Sequence, residues 1–185
     1  ANVKIVTLPI LFSMENATTG FHEALEQLFL NADAAIRDGA TILILSDKGV
    51  TEKNAALPAL LAAAGLHHHL IRAGTRTRVG LVLESGEPRE VHHFCVLLGY
   101  GVQAINPYMA FSCLNDMINE GIMTDITYND AVSGYVKAAV KGMIEAGLKV
   151  DEDQSYREIV AIYEEFGWEN QQVFDVFIEK QVGHV

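Results

Sequence analysis

Four short apolar runs, each followed by a stretch with helical periodicity, constrain the fold of this chain more than any other feature. The clearest run covers residues 41–45, which are almost entirely isoleucine and leucine and lead into the polar turn 46–49. A short continuous apolar run is typical of a strand buried on both faces of a parallel sheet. Pro9 interrupts the first run, which fits a strand end or an edge strand. The other runs cover residues 3–12, 78–83 and 102–105.

Helical periodicity separates the apolar runs. Pro58 and Pro88 each stand in the first turn of a predicted helix, where the missing N–H of proline does no harm. After residue 109 the pattern is helical only. The predicted helices cover about residues 20–38, 57–73, 88–98, 109–119 and 127–146, and an amphipathic pattern continues over about 154–182.

The order of these elements predicts the architecture. Four strand–helix units in a row imply parallel strands joined by right-handed crossovers. Eight such units close a barrel and four cannot. We therefore expect an α/β fold whose four parallel strands alternate with helices, as an open sheet or a half TIM-barrel-like arrangement. Composition changes at Val150, because residues 151–185 carry nine acidic and two basic side chains. We expect one domain over residues 1–150 and an acidic helical appendage over 151–185 that packs on it.

Composition bounds the class of protein. Half of the 185 residues are hydrophobic, which suffices for a core and argues against a mainly disordered chain. The formal net charge of −11 argues against nucleic acid or an anionic membrane as the main partner. No apolar run approaches the ~20 residues that span a bilayer. Cys95 and Cys113 lie in apolar helical patterns, which suits reduced thiols, and no secretory signal is visible. We therefore expect a cytoplasmic protein.

Polar side chains stand where the predicted strands end. Asp47 follows the second apolar run, Glu84 follows the third and Asn106 follows the fourth. Ligands of α/β proteins usually bind at the carboxyl ends of the strands. Neighbouring carboxylates there suit a metal, a cationic substrate or a proton. These three residues are the candidate ligand-binding residues.

A structural role is the alternative for both carboxylates. Asp47 and Glu84 can cap the turns and helix N-termini that follow the strands. They can also pair with Arg76, Arg78 or Lys48. The expected topology, rather than the identity of the residues, favours the ligand-binding interpretation.

Two histidine clusters, at residues 67–69 and 92–93, raise the question of a metal site. Chelation on one helix needs a spacing of three or four, whereas adjacent side chains point about 100° apart. A site would need one ring from each helix plus a carboxylate, with His68 or His69 and His93 as weak candidates. No metal is therefore expected, and hydrogen-bonded or solvated rings are the alternative.

Four blocks of sequence carry a resemblance to a known family. They include the Ser-Asp-Lys-Gly turn, the three adjacent histidines, the Glu-Pro-Arg-Glu-Val-His-His segment and the Asn-Pro-Tyr segment. In this order the blocks resemble the central domain of the large subunit of glutamate synthase. The resemblance covers about residues 3–142. The blocks span residues 42–49, 66–72, 84–94 and 98–108.

The resemblance implies a part of an enzyme that makes two glutamates from glutamine and 2-oxoglutarate. In that family an amidotransferase domain with an N-terminal cysteine releases ammonia. A barrel that carries FMN and an iron–sulfur cluster reduces the iminoglutarate. The central domain is similar to an incomplete relative of that barrel and serves chiefly as a connector. The resemblance therefore implies packing against amidotransferase and FMN modules, or self-association.

The chain departs from the family pattern after Lys141 and Gly142. The catalytic cysteine, the flavin site and the cluster cysteines of the family are absent from this sequence. Whether the chain is itself an enzyme stays open, and no cofactor is expected in it. The resemblance implies a non-catalytic scaffold in the cytoplasm, or in a plastid if the source is a photosynthetic eukaryote. The alternative is a free-standing half-barrel that binds a small molecule or a flavin at the strand ends.

Overall fold

The computed structural model describes residues 3–147, and for residues 16–18 it describes the backbone alone. Strands and helices alternate along this part of the chain. The strands are β1 (Ile5–Pro9), β2 (Leu11–Ser13), β3 (Ile42–Ser46), β4 (Asn54–Ala56), β5 (Gly80–Glu84) and β6 (Ala104–Asn106). The helices are α1 (Ala17–Arg37), α2 (Ala59–Arg72), α3 (Val91–Gly99), α4 (Tyr108–Asn119) and α5 (Tyr128–Glu145).

Four of the strands form one parallel sheet in the order β1-β3-β5-β6. The register pairs Leu43 with Leu81 between β3 and β5, and Val82 with Ala104 between β5 and β6. Helical crossovers join successive strands of this sheet, as the alternation predicts. Within the described residues the sheet does not close, because β1 and β6 each have one neighbour. The predicted α/β fold with an open four-stranded parallel sheet is confirmed.

The main core joins one face of the sheet to helices α1 and α2. Leu43 and Leu45 of β3 and Leu81 and Leu83 of β5 are fully buried in it, because alternate residues of a strand point to the same face. The intervening Ile44 is buried as well, so both faces of β3 are covered, as its continuous apolar run predicts. The helices contribute Leu28, Ala32, Ile36, Ala62, Leu66 and Leu70.

Pro9 is the last residue of β1, and β1 is an edge strand. Proline lacks an N–H for the ladder, so the sequence predicts this position correctly. After Ile10 the chain leaves the sheet, and β2 pairs with β4 in a separate antiparallel ribbon. Phe12 of the ribbon packs edge-to-face on Phe21 of α1, with 5.5 Å between the ring centroids. The first apolar run therefore forms two strands rather than one.

Strand β4 lies in a segment that the sequence does not predict to be a strand. Its three residues, Asn-Ala-Ala, have low strand propensity and show no alternation of apolar and polar side chains. Pairing with β2 holds this segment extended. The backbone N–H of Leu57, just after β4, donates to the carbonyl oxygen of Ile10 at 2.8 Å and continues the ribbon. Tertiary pairing, rather than local preference, makes this strand.

The described residues group into two compact units. One unit contains residues 3–89 and 93–110, and with them the sheet, the ribbon, α1 and α2. The other contains residues 90–92 and 111–147. The division of the chain at residue 150 stays a prediction, because the appendage expected over 151–185 lies outside the described residues.

Helix α5 begins where the sequence predicts a helix. Thr127 precedes it, and its hydroxyl oxygen accepts the backbone N–H of Asp130 at 3.2 Å, which satisfies a free donor of the first turn. Within the same unit, the rings of Phe111 and Tyr135 pack edge-to-face at 6.0 Å between centroids. In the part of the chain that the structure describes, every helix is too short or too polar to cross a membrane.

Candidate functional site

The three candidate ligand-binding residues lie together at the carboxyl edge of the sheet. In the parallel register Ser46 stands opposite Glu84, and Glu84 stands opposite Asn106. Asp47 follows β3 directly, and its backbone N–H donates to the carbonyl oxygen of Glu84 at 3.2 Å. Parallel strands end on one edge, so residues far apart in sequence meet here. Their proximity follows from the sequence, whereas their role in ligand binding stays a prediction.

The Asp47 carboxylate is buried and surrounded by donors. Only 3% of the residue is exposed. Its Oδ2 accepts the Ser85 hydroxyl at 2.6 Å and the backbone N–H of Gly86 at 3.0 Å, and its Oδ1 accepts the Tyr108 hydroxyl at 2.7 Å. Burial of a carboxylate is tolerated only when such hydrogen bonds replace water. The carboxylate therefore ties the end of β3 to the loop after β5 and to the first residue of α4.

Glu84 has a second and more solvated set of partners. Its Oε2 accepts the Ser46 hydroxyl at 2.6 Å, and its Oε1 lies 3.1 Å from Lys48 Nζ. Asn106 Nδ2 donates to the same Oε1 at 3.4 Å. The Lys48 side chain is 46% exposed, so solvent screens the ion pair and its contribution to stability is small. Lys48 Nζ also lies 5.4 Å from the centroid of the Tyr108 ring.

Asn106 leaves one hydrogen-bonding atom unpaired. The residue is 1% exposed, and within residues 3–147 its Oδ1 has no hydrogen-bond partner. Rotation of the amide by half a turn would place this oxygen beside Glu84 Oε1, where two acceptors repel each other. An unpaired buried polar atom is unfavourable by about 1–3 kcal/mol. A donor from a ligand or a water molecule would therefore be stabilising at this atom.

Tyr108 completes the cluster as a neutral donor. Burial raises the pKa of its hydroxyl, and the hydrogen bond to Asp47 and the charges of Asp47 and Glu84 raise this pKa further. Gly86 makes the approach possible, because a Cβ there would lie 3.3 Å from the Tyr108 hydroxyl oxygen and 2.7 Å from Met109 Cγ. The Tyr108 hydroxyl therefore stays protonated and bound to Asp47.

A helix cap beside this cluster is absent from the sequence predictions. Glu87 Oε2 accepts the backbone N–H of Ala59, the first residue of α2, at 3.0 Å. Pro58 precedes the helix and provides no side-chain cap. Glu87 therefore caps α2 from a loop that is distant in sequence. Local helix-start signals cannot reveal such a cap, because its acceptor comes from outside the helix.

Arg76 belongs to a different cluster from the strand-end carboxylates. Its Nε donates to His67 Nδ1 at 2.9 Å, its Nη1 to the Val79 carbonyl at 2.8 Å and its Nη2 to the Gly101 carbonyl at 2.6 Å. Burial lowers the pKa of His67, and the charges of Arg76 and of the adjacent histidine lower it further. The neutral ring can accept the arginine donor. Within the described residues Arg76 makes no ion pair with Glu84.

The weak metal candidates His68, His69 and His93 have separate surroundings. His69 Nε2 lies 2.9 Å from Asp33 Oδ2. His93 Nδ1 accepts the backbone N–H of Arg89 at 3.1 Å, and His68 is exposed. Across residues 3–147, no group of three or more His, Cys, Asp or Glu side chains is arranged to hold a metal ion.

We call Asp47, Glu84, Asn106 and Tyr108 the strand-end cluster. Its chemistry favours a ligand with a hydrogen-bond donor over an anionic ligand. Asp47 and Glu84 bring two carboxylates against the single ammonium group of Lys48. An anionic group such as the FMN phosphate would therefore be repelled. The residues present also do not fit an iron–sulfur cluster, because the two cysteines of the sequence fall short of the usual four thiolate ligands.

Comparison with known proteins finds the family that the four sequence blocks suggest. The family model described as the glutamate synthase central domain matches residues 1–161. The chain is 43% identical over 158 residues to the large chain of NADPH glutamate synthase of Bacillus subtilis (strain 168). That match covers 84% of this chain and 10% of the relative.

Two further relatives come from eukaryotes. The chain is 33% identical over 178 residues to the NADH glutamate synthase of Schizosaccharomyces pombe. That match covers 95% of this chain and 8% of the relative. It is 31% identical over 156 residues to the ferredoxin-dependent glutamate synthase of Pyropia yezoensis. That match covers 78% of this chain and 10% of the relative. The chain thus spans a tenth or less of the length of these relatives.

Proposed function

Because this chain belongs to the glutamate synthase central domain family, we propose that it acts as a non-catalytic scaffold within a longer glutamate synthase. Its match spans 10% of the Bacillus subtilis large chain. In this proposal the conversion of glutamine and 2-oxoglutarate into two glutamates belongs to the whole polypeptide. The proposed partners are its amidotransferase and FMN modules, which would also hold the FMN and the iron–sulfur cluster. The proposed compartment is the cytoplasm, or a plastid in a photosynthetic eukaryote.

The hydrogen-bond network around the Asp47 carboxylate is the observation that carries this proposal. In a catalytic α/β domain the carboxyl edge of the sheet presents free polar groups to a substrate. Here both oxygens of the buried Asp47 carboxylate already accept from Ser85, Gly86 and Tyr108. A carboxylate with these partners joins loops and strand ends and is not available as a base. The network favours a rigid edge over a reactive one.

A chimera tests whether the cluster supports structure or chemistry. It carries the matching segment of this chain in place of that of the Bacillus subtilis large chain. Asp47→Asn and Glu84→Gln remove each charge and keep the side-chain shape. We expect each substitution to lower the unfolding temperature of the chimera, because it weakens the hydrogen bonds of the cluster. Glutamine-dependent glutamate formation per folded enzyme should stay within about twofold, since no interaction with the transition state is removed.

The opposite pattern would overturn the scaffold proposal. A fall in kcat of about 100-fold or more, with an unchanged unfolding temperature, would show that the carboxylates stabilise a transition state. The wild-type chimera is the reference for both measurements. The unfolding temperature of each variant shows whether an activity loss merely follows from loss of folded enzyme.

A second candidate function is a free-standing half-barrel that binds a small molecule at the strand ends. The unpaired Asn106 Oδ1 supports it, because an amine or another donor near Glu84 would satisfy this buried acceptor. The flavin form of this candidate has less support, since the cluster carries more negative than positive charge. Addition of FMN to the purified chain, desalting and an ultraviolet–visible spectrum test it. We expect a bare protein spectrum, and a retained flavin band would favour the flavin-binding alternative.

A further inference from the structure

Helix α2 is apolar on the side that faces away from the core. The side that packs into the core consists of Ala59, Ala62, Ala63, Leu66 and Leu70. At about 100° per residue, a second set of residues shares the opposite side. We call this set the α2 outer face, and it consists of Leu60, Leu61, Ala64, His68, Ile71 and, at the last position of the helix, Arg72. Three of its large apolar side chains are 36%, 41% and 50% exposed, namely Leu60, Leu61 and Ile71.

Helix α1 of the same unit shows the usual pattern of a surface helix. Its exposed positions include Glu23, Glu26, Gln27 and Asn31, and Leu30 is an apolar exception. A single exposed leucine is normal and needs no explanation. The 14 residues of α2, by contrast, contain one permanently charged side chain, which is at the last position of the helix. A helix that is apolar on all sides is normally covered on all sides.

The three adjacent histidines of α2 lie on different sides of the helix. His67 accepts Arg76, and His69 contacts Asp33, so both are engaged within the unit. His68 lies on the α2 outer face, where its ring centroid is 6.4 Å from that of Tyr100. Tyr100 is itself exposed. Rings with an apolar body and a polar tip suit the margin of an interface, so His68 and Tyr100 extend the apolar surface.

We propose that the α2 outer face docks against an apolar, uncharged surface of another module of the longer glutamate synthase polypeptide. This inference rests on the proposed scaffold function and names the surface that performs it. About nine tenths of the Bacillus subtilis relative lies outside the matched segment, so most of the polypeptide that can cover this face belongs to other modules. The outer face carries one fixed charge, that of Arg72 at the end of the helix, and largely apolar faces of this kind are typical of permanent rather than transient interfaces.

A second copy of this chain is a less suitable occupant. Each copy carries a formal net charge of −11, so two copies repel each other. Arg72 is the one fixed cation of the α2 outer face, and one positive charge per copy is small beside an excess of 11 negative charges. A neutral apolar surface that is tethered in the same polypeptide avoids this repulsion and also benefits from a high effective concentration.

The experiment compares Leu61→Glu with Leu30→Glu. Both changes place one charge on an exposed leucine of the same compact unit, and Leu30, at 61% exposure, is the more exposed of the two. Each variant is made in the 185-residue chain and in the chimera with the Bacillus subtilis large chain. In the isolated chain we expect unchanged monomeric sedimentation and an unfolding temperature within about 2 °C of the parent, since surface substitutions have small effects.

The chimera should separate the two variants. Limited proteolysis follows the population in which a segment is undocked and open. We therefore expect Leu61→Glu to speed trypsin release of the central segment by about tenfold or more, and Leu30→Glu by less than about twofold. Leu61→Gln and Leu30→Gln repeat the comparison without charge if a glutamate variant does not accumulate.

Three results would overturn the inference. Equal release rates for the two chimeric variants would show that the α2 outer face is not docked in the longer polypeptide. An isolated parent dimer that Leu61→Glu dissociates would assign the face to a second copy. An isolated Leu61→Glu monomer with a much lower unfolding temperature would assign the face to other residues of this chain. Trypsin release of the central segment is measured without reference to activity. A failure of the scaffold proposal would instead be seen as a fall in the kcat of the Asp47 and Glu84 variants, so the two failures can be distinguished.

Discussion

His67 and Tyr108 are two side chains whose protonation the fold controls. His67 accepts Arg76 Nε at 2.9 Å, which requires an unprotonated Nδ1, and Tyr108 donates to Asp47 at 2.7 Å, which requires a protonated hydroxyl. Burial is the largest cause of the pKa shift in both, because it disfavours the charged form. The two residues therefore link stability to pH at opposite ends of the scale.

Acidification should destabilise the fold through His67. The pKa of His67 in the folded protein lies below the value of 6.5 for an unperturbed histidine. Between these two values the unfolded chain binds more protons, so this contribution is complete above about pH 6.5 and decreases as the pH falls toward the folded pKa. His67→Asn should remove this part of the slope, since the asparagine Oδ1 can accept from Arg76 without titrating. Urea unfolding between about pH 5 and 8 measures the slope.

His92→Asn is the matched control for the acid experiment. His92 is exposed, and the charges that lower the pKa of His67 are those of Arg76 and His68. The control should keep the pH dependence of the parent. Identical slopes for the parent and His67→Asn would contradict the role of this ring in the stability of the Arg76 cluster.

Removal of the Tyr108 hydroxyl should lower stability by about 1–2 kcal/mol at neutral pH. In Tyr108→Phe the Asp47 Oδ1 keeps a longer hydrogen bond, of 3.2 Å, from the Gly86 N–H. The stability that the hydroxyl provides should also be lost as the pH rises above 10, because the unfolded tyrosine deprotonates there first. Urea unfolding of the parent and the variant at neutral and alkaline pH measures both effects.

Tyr100→Phe is the control for the tyrosine experiment. The Tyr100 side chain is exposed, so loss of its hydroxyl should change the free energy of unfolding by less than about 0.5 kcal/mol. If both phenylalanine variants lose the same stability, the Asp47–Tyr108 hydrogen bond does not contribute as the geometry indicates.

The sequence predicts which residues meet at the strand ends, but not their partners. Asp47, Glu84 and Asn106 come together because parallel strands end at one edge, and periodicity alone locates those ends. The donors to Asp47 depend on the conformation of the loop after β5 and on the position of Tyr108. Neither follows from a local pattern, since each is decided by contacts between distant segments.

At the scale of elements, α2 depends on a cap from another loop. Glu87→Ala should lower the free energy of unfolding by about 1 kcal/mol, because the N–H of Ala59 loses its acceptor at the start of the helix. Glu87→Gln should keep most of the stability, since an amide oxygen also accepts. Glu52→Ala, at an exposed position, is the control for a lost surface charge. Equal losses at positions 52 and 87 would contradict the capping role, and chemical denaturation measures them.

The connection between α3 and β6 requires glycine at position 101. Gly101 has φ +90°, and an added Cβ would lie 2.6 Å from His67 Cε1. Gly101→Ala should therefore lose roughly 2 kcal/mol or more through backbone strain and displacement of the His67 ring. Gly99→Ala is the control, because its Cβ would meet no atom within 4 Å and alanine favours helix. Thermal unfolding should place Gly99→Ala at or above the parent, and the reverse order would contradict this account.

Elements with a clear pattern of apolar residues are predictable from this sequence, and elements without such a pattern are not. Strand β3 is buried at all five residues, and its apolar run identifies it. Strand β4 has no alternation and exists through its pairing with β2. The same distinction separates α5, which has a local threonine cap, from α2, whose cap comes from Glu87.

At the scale of the whole molecule, the order of elements predicts the parallel sheet, and the number of strand–helix units predicts that it stays open. What the order cannot provide is the occupant of exposed surfaces such as the α2 outer face. A covered face and a solvated face differ in composition, but composition does not identify the partner. The exposure of its side chains identifies the α2 outer face, and the length of the relatives indicates that other modules are present to cover it.

The excess of negative charge should make the stability of the folded chain depend on ionic strength. With 24 acidic and 13 basic side chains, the folded chain holds its excess negative charge in a smaller volume than the unfolded chain does. Raising NaCl from about 20 mM to about 0.2 M shortens the Debye length and weakens this repulsion. The ion pairs that salt would weaken are solvent-exposed, such as Lys141–Glu145 at 3.9 Å, and contribute little.

Salt should therefore raise the unfolding temperature of the isolated chain, by roughly 2–4 °C for each kcal/mol of repulsion removed. Differential scanning calorimetry at fixed pH measures the shift. KCl at the same ionic strength should have the same effect, because screening does not depend on the identity of the cation. A fall in the unfolding temperature would show that attractive ion pairs outweigh the excess of negative charge. A rise with one cation alone would show specific binding, for which the strand-end carboxylates Asp47 and Glu84 would be the first residues to substitute.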